Sequence, residues 1–176
     1  TMNHFASVTP SRWQHRIAVA SSVAAVAALV SVATTASAAD PREPVYPAGI
    51  KPIAPYSPAI KLKDGMLFVS GQIPYVKGAI PAEATDGKDD MADQTKIVME
   101  NLKTVLTEAG YTFDNAVKVS VFMTDIANYG AFNKVYGTYW GEGKIPPARE
   151  AIAVSALPGG KPGAPVLVEV SLIAAK

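Results

Sequence analysis

Between Val166 and Ala174, side chains alternate in character without a break. Val166, Val168, Val170, Leu172 and Ala174 fall on one face of an extended segment, and Leu167, Glu169, Ser171 and Ile173 fall on the other. Alternation with a period of two fits a strand and not a helix. The second face is apolar as well, apart from Glu169 and Ser171, and a carboxylate among apolar neighbours needs a partner or a purpose.

A second apolar segment, PPAREAIAV from Pro146 to Val154, carries one arginine, Arg149. It is followed by Leu157-Pro158 and by a Gly/Pro-rich loop, Ser155 to Pro165, long enough to join two neighbouring antiparallel strands. Strands at Arg149–Val154 and Val166–Ala174 are therefore expected to pair and to bring Arg149 and Glu169 together. Arg149 reads either as an anchor for an anionic ligand or as a structural partner of Glu150 or Glu169. Glu169 reads either as a reactive carboxylate or as half of a salt bridge between subunits.

Upstream, Ala59–Lys63 and Met66–Ile73 flank Asp64-Gly65, a strong hairpin signal. Pro74 to Lys88 reads as a loop, with room for a short strand near Tyr75 and Val76. From Asp90 the period lengthens: Met91, Ile97, Val98, Leu102, Val105, Leu106 and Ala109 mark one face of a helix, with Asp89 or Asp90 as N-cap and Gly110 as its end. Val117 to Thr124 returns to strand alternation. A second helix, starting at Asp125 or Asn128 and running through Trp140, turns Phe132, Val135, Tyr136 and Tyr139 inward. The resulting order predicts an α+β domain, a mixed β-sheet with two helices packed on one face. The opposite sheet face is left without a helix, so self-association is expected to cover it.

Three segments follow from composition. Residues 1–38 read as a signal peptide: Arg12, His15 and Arg16 precede an apolar run from Ile17 to Ala33, and Ala36-Ser37-Ala38 supplies a small-residue cleavage site. The expected location is periplasmic or secreted, with no membrane attachment after cleavage. Residues 39–54 form a proline-rich arm, expected to be extended and free of regular structure. Residues 55–176 form the single domain. Both histidines leave with the leader and the chain has no cysteine, which excludes thiolate chemistry, histidine metal cages and disulfides. Four aspartates between Asp86 and Asp93 lack the glycine and terminal glutamate of an EF-hand. They read as a solvated loop and helix cap, and neither metal nor cofactor is expected. Without Arg12 and Arg16 the chain has 14 basic residues against 15 acidic ones, with no basic stripe to hold nucleic acid.

Several short motifs stand in a definite order: Pro55-Tyr56-Ser57, FVSGQIP from Phe68 to Pro74, Gln94 with Glu100-Asn101-Leu102, VKVSVFMTD from Val117 to Asp125, Phe132-Asn133 with Tyr136, and Pro147-Ala148-Arg149 with Val154, Leu157-Pro158 and Glu169. In these residues, from about Pro55 to Ile173, the chain resembles the Rid family, also called YjgF, of reactive-intermediate deaminases. The resemblance implies a chorismate mutase-like fold, a homotrimer with a central β-barrel, and three clefts between subunits. It implies hydrolysis of 2-imino or enamine acids, of the 2-iminopropanoate and 2-iminobutanoate type, to a 2-oxo acid and ammonia, without a cofactor. Arg149 would bind the substrate carboxylate and Glu169 would orient or deprotonate water, while Tyr56, Ser70, Gly71 and Asn133 would line the cleft. Ala151 stands where the better-known deaminases often have cysteine, and its backbone would still face the substrate. Glu150, beside Arg149, and Ser171, where a second acid is frequent, also depart from the pattern. A trimeric protein that binds small carboxylates in the same cleft without turnover is the alternative. Read from the residues alone, Tyr56 also suits packing at the first strand, Asn133 a solvated helix position, and Ser70-Gly71 a strand bulge.

Overall fold

The computed structural model describes residues 40–48, 52 and 54–176, and the expected signal peptide lies outside them. Among the described residues six strands are present: β1 (Arg42–Val45), β2 (Ala59–Leu62), β3 (Met66–Gln72), β4 (Ala116–Met123), β5 (Ala148–Ala153) and β6 (Val168–Ala175). Two α-helices, α1 (Asp90–Glu108) and α2 (Tyr129–Tyr136), join them, and short 3-10 turns extend α2 at both ends, over Ile126–Asn128 and Gly137–Tyr139. The strands form one mixed sheet in the order β1-β2-β3-β6-β4-β5. The mixed α+β class expected from the sequence is the observed one.

Strand β6 lies between β3 and β4 and is antiparallel to both. Its doubly apolar character suits a central strand. Strand β5 instead pairs in parallel with β4, at the sheet edge. This corrects the expectation that β5 and β6 are neighbours: the loop after β5 carries the chain past β4 before β6 begins. A parallel pair needs a crossover rather than a hairpin, and α2 with its flanking turns provides it between β4 and β5. Strand β5 is the more exposed of the two, with only Arg149 and Ala151 partly covered, so the edge is the place where it leaves least apolar surface unpaired.

The arm also departs from expectation. Residues Arg42–Val45 form β1, antiparallel to β2, although Pro44 lies within it. Strand β1 is at the sheet edge, where a residue without an N–H can be accommodated. At the other proposed short strand, Val76 and Ala79 form only an isolated bridge. The aspartates organise their loop: Asp90 accepts from the Gly87 N–H and Asp86 from the Lys88 N–H, while Asp89 occupies the N-cap position without a side-chain cap bond.

The core lies between the helices and one sheet face. Leu67, Val119, Val121, Val168 and Val170 meet Val98, Leu102 and Leu106 of α1 and Phe132 of α2, all essentially inaccessible to solvent. On the other face Phe68 and Ile152 are 42% and 47% exposed. Among the described residues no helix covers that side.

Two polar side chains of α1 pin the loops that frame the sheet. Gln94, fully buried, donates to the carbonyls of Ala84 (3.0 Å) and Pro165 (2.9 Å) and accepts from the Leu167 N–H at 2.8 Å. Asn101 donates to the carbonyls of Ile73 and Tyr75, both at 3.0 Å. Each buried group left without a partner costs about 1–3 kcal/mol. Gln94→Leu, which keeps the volume and strands three backbone groups, is therefore expected to destabilise the domain by about 3 kcal/mol in urea unfolding; a loss below about 0.5 kcal/mol would remove Gln94 from this role.

Candidate active site

The first group of expected site residues gathers where β3 meets β6. The ladder slips between Val69 and Gln72, so the chain bulges at Ser70-Gly71 as the sequence suggested. A side chain on Gly71 would displace Glu169, because its Cβ would stand 1.8 Å from Oε1 of that residue. The glutamate thus rests its carboxylate on bare backbone. Glu169 makes no ion pair or side-chain hydrogen bond among the described residues, and burial pushes its pKa above the ordinary glutamate range. Ser70 donates through Oγ to the Ser57 carbonyl at 2.7 Å, and its N–H donates to the Pro58 carbonyl at 3.0 Å. These bonds fix the segment carrying Tyr56. Tyr56 and Ser70 line an open groove of about 650 Å³.

The second group forms at the opposite edge. Arg149 on β5 is aligned with Val119 of β4, which is buried against the helices, so its side chain lies on the helix side of the sheet. The guanidinium carbon sits 4.6 Å from the Tyr136 ring centroid, 5.5 Å from that of Tyr129 and 5.6 Å from that of Phe132. Nη2 donates to the Tyr129 hydroxyl at 2.7 Å. Asn133 belongs to the same helix, and Ala151 follows Arg149 on the same strand face, packed against the core. Among the described residues the buried Tyr136 hydroxyl has no hydrogen-bond partner, and burial pushes its pKa up to about 12 against the opposing Arg149 charge. Tyr136 therefore stays neutral and offers the guanidinium a ring face rather than an anion.

Glu150 is turned the other way. It pairs with Lys118 and accepts from the Ser120 hydroxyl on the helix-free face, and Lys118 above all holds its carboxyl below the usual range. Glu150 therefore does not neutralise Arg149. Nor does Glu169: Arg149 is level with Val119 and Glu169 with Phe122, on opposite faces and with β4 between them. Two strand spacings across and three residues along separate their backbones by roughly 14 Å. The expectation that these two residues lie together on paired strands is corrected for a single chain, and neither structural ion pair considered for Arg149 forms within it.

A family profile described as Endoribonuclease L-PSP matches residues 47–176. The chain belongs to this family, also called YjgF or Rid. Among curated relatives, a RutC family protein of Pyrococcus horikoshii is 43% identical over 126 residues, covering 72% of this chain and 90% of that one. The mitochondrial protein MMF1 of Saccharomyces cerevisiae is 36% identical over 105 residues, covering 60% and 67%. Among solved structures, a Rid family protein from Yersinia pestis, YyfA, superposes with a TM-score of 0.66 at 36% identity over 77% of this chain and 99% of that one. Escherichia coli TdcF with bound serine gives 0.64 at 30% identity over 76% and 98%. These relatives carry mixed names and one is mitochondrial, so membership alone assigns neither a reaction nor export. The aromatic stripe under Arg149 was legible as a helix face at spacings of three and four, yet Tyr129 was not singled out, since nothing local showed that its hydroxyl meets an arginine 20 residues away.

Proposed function

We propose that the protein is a hydrolytic deaminase of 2-imino and enamine acids, working as a homotrimer whose sites lie between subunits. The observation that carries this reading is the division of the site. Among the described residues one group offers an unpaired, partly desolvated carboxylate and the other an arginine without a carboxylate partner, on opposite faces of one sheet. A neighbouring copy supplies what each group lacks. The uncovered face, with Phe68 and Ile152 exposed, supports the same assembly. Binding of serine by TdcF, as its structure is described, favours a small ligand with a carboxylate beside a nitrogen. Export rests on residues 1–38, and sequencing the N-terminus of the protein from a periplasmic extract tests it: Ala39 is expected.

In this reading Arg149 holds the substrate carboxylate through a planar, bidentate contact. A protonated imine carbon is already electrophilic, so the remaining work is to place a water and move its proton. Glu169 takes a proton from the water as the oxygen adds to C2, giving a carbinolamine. It then returns that proton to the nitrogen and, a carboxylate again, takes the hydroxyl proton as the C–N bond breaks; ammonia leaves, the carbonyl of the 2-oxo acid forms, and Glu169 passes the proton on to ammonia or solvent.

The test generates 2-iminobutanoate from threonine with a dehydratase and traps it with semicarbazide. The protein is expected to lower the trapped yield and Glu169→Gln to abolish that effect. As a base Glu169 must be ionised, and burial favours its neutral form, so the rate is expected to rise with pH along a limb lying above the ordinary glutamate range. A rate independent of pH across that limb would exclude Glu169 as the base. Binding of 2-oxobutanoate without any turnover would instead support a carboxylate-binding protein that uses the same cleft.

A further inference from the structure

We infer that Tyr129 is a positioning residue for Arg149, setting which edge of the guanidinium is presented to a ligand carboxylate; this rests on the carboxylate-anchoring role proposed for Arg149. Three rings of one helix lie within cation–π distance of the guanidinium, at 4.6, 5.5 and 5.6 Å. Rings hold a cation near a surface but barely resist its rotation in plane. The Tyr129 hydroxyl, accepting from Nη2 at 2.7 Å, supplies the missing directional contact.

The geometry leaves the arginine available. Nη2 has two hydrogens, one on the edge shared with Nε and one on the edge shared with Nη1. Whichever of them Tyr129 accepts, the other edge stays complete and can bind a carboxylate through two parallel hydrogen bonds. A carboxylate in the place of Tyr129 would orient the guanidinium equally well but would cancel its charge. A phenol orients it without doing so. The nearby Asn133 amide, and then the Arg149 charge, lower the Tyr129 pKa, in keeping with the hydroxyl's role as acceptor toward the Arg149 Nη2.

Tyr129→Phe keeps the ring and removes only the hydroxyl, at a position 41% exposed, so folding is expected to survive, as a thermal melt will confirm. KM for 2-iminobutanoate is expected to rise about tenfold with kcat within about twofold, the size of one lost hydrogen bond to a charged group. Calorimetric Kd for 2-oxobutanoate, which needs no turnover, is expected to rise by the same factor in the variant. Wild-type protein that binds 2-oxobutanoate through Arg149 yet does not consume the imine would refute the deaminase reading and leave the Tyr129 comparison intact. Equal or tighter binding by Tyr129→Phe, a fall in kcat with KM unchanged, or wild-type binding indifferent to Arg149→Ala would each overturn the inference.

Discussion

Arg149→Ala is expected to lower kcat/KM for 2-iminobutanoate by about 100- to 10,000-fold. Two parallel hydrogen bonds between a guanidinium and a carboxylate contribute about 1.5–3 kcal/mol each, and each 1.36 kcal/mol is tenfold in rate. Little of that loss will be structural. The arginine is on an edge strand, makes no ion pair among the described residues, and rests on rings that remain packed without it. Arg149→Lys is expected to recover only a small part, because a point charge on a flexible stem replaces a planar fork that three rings and Tyr129 hold in place. The measurement is steady-state hydrolysis by the two variants beside their melting curves. Retention of more than a tenth of the wild-type kcat/KM by Arg149→Ala would remove Arg149 from the site.

Gly71→Ala is expected to separate activity from stability in the opposite residue group. The new Cβ would stand 1.8 Å from Oε1, 2.7 Å from Cδ and 3.0 Å from Cγ of Glu169, so the carboxylate must leave its seat. The obstructing atoms belong to a side chain that can rotate, and the backbone can remain in place. Gly71 is not among the residues with positive φ, so alanine is compatible with the strand and stiffens the unfolded chain by up to about 1 kcal/mol. A displaced general base loses a contribution of about 100-fold or more. The expected outcome is a kcat lower by about that factor in a protein that melts no earlier than wild type. Unchanged kcat would mean that the position of the Glu169 carboxylate is irrelevant to turnover.

The contrast between these groups shows what was legible in the sequence. Helix α1 declared itself through its apolar period and its terminal glycine, and β4 and β6 through their alternation, because local geometry alone writes those patterns. The neighbours of β6 are set by competition among strands for the centre of the sheet, a property of the whole molecule, and the loop after β5 was long enough for either outcome. The prolines of the arm argued against any regular element, and that expectation failed at the sheet edge, where Pro44 can sit in β1 without an N–H to offer. Arg149, Glu169, Gly71 and Asn133 were singled out as candidates through ordered motifs. That Glu150 faces away from Arg149 follows from strand parity once β5 is placed, yet its pairing with Lys118 depends on β4 being the neighbour. Tyr129 lay hidden because its role comes from a contact across α2 and β5, and a tyrosine on an amphipathic helix has the same local pattern whether or not its hydroxyl is used.

The Gln94 clamp has a consequence for how this fold can vary. It grips the Pro165 carbonyl and the Leu167 N–H, just before β6, and so sets the register of Glu169 independently of the path by which the chain arrives. Upstream, Lys161 and Ala164 close a tight turn with Pro162 and Gly163 at its tip, Gly163 at φ 80°, the geometry of a type II turn. Length can therefore be added or removed at that tip while the Glu169 carboxylate stays in place, which makes the segment a natural insertion point: the loop can change its length and surface chemistry without shifting the central strand.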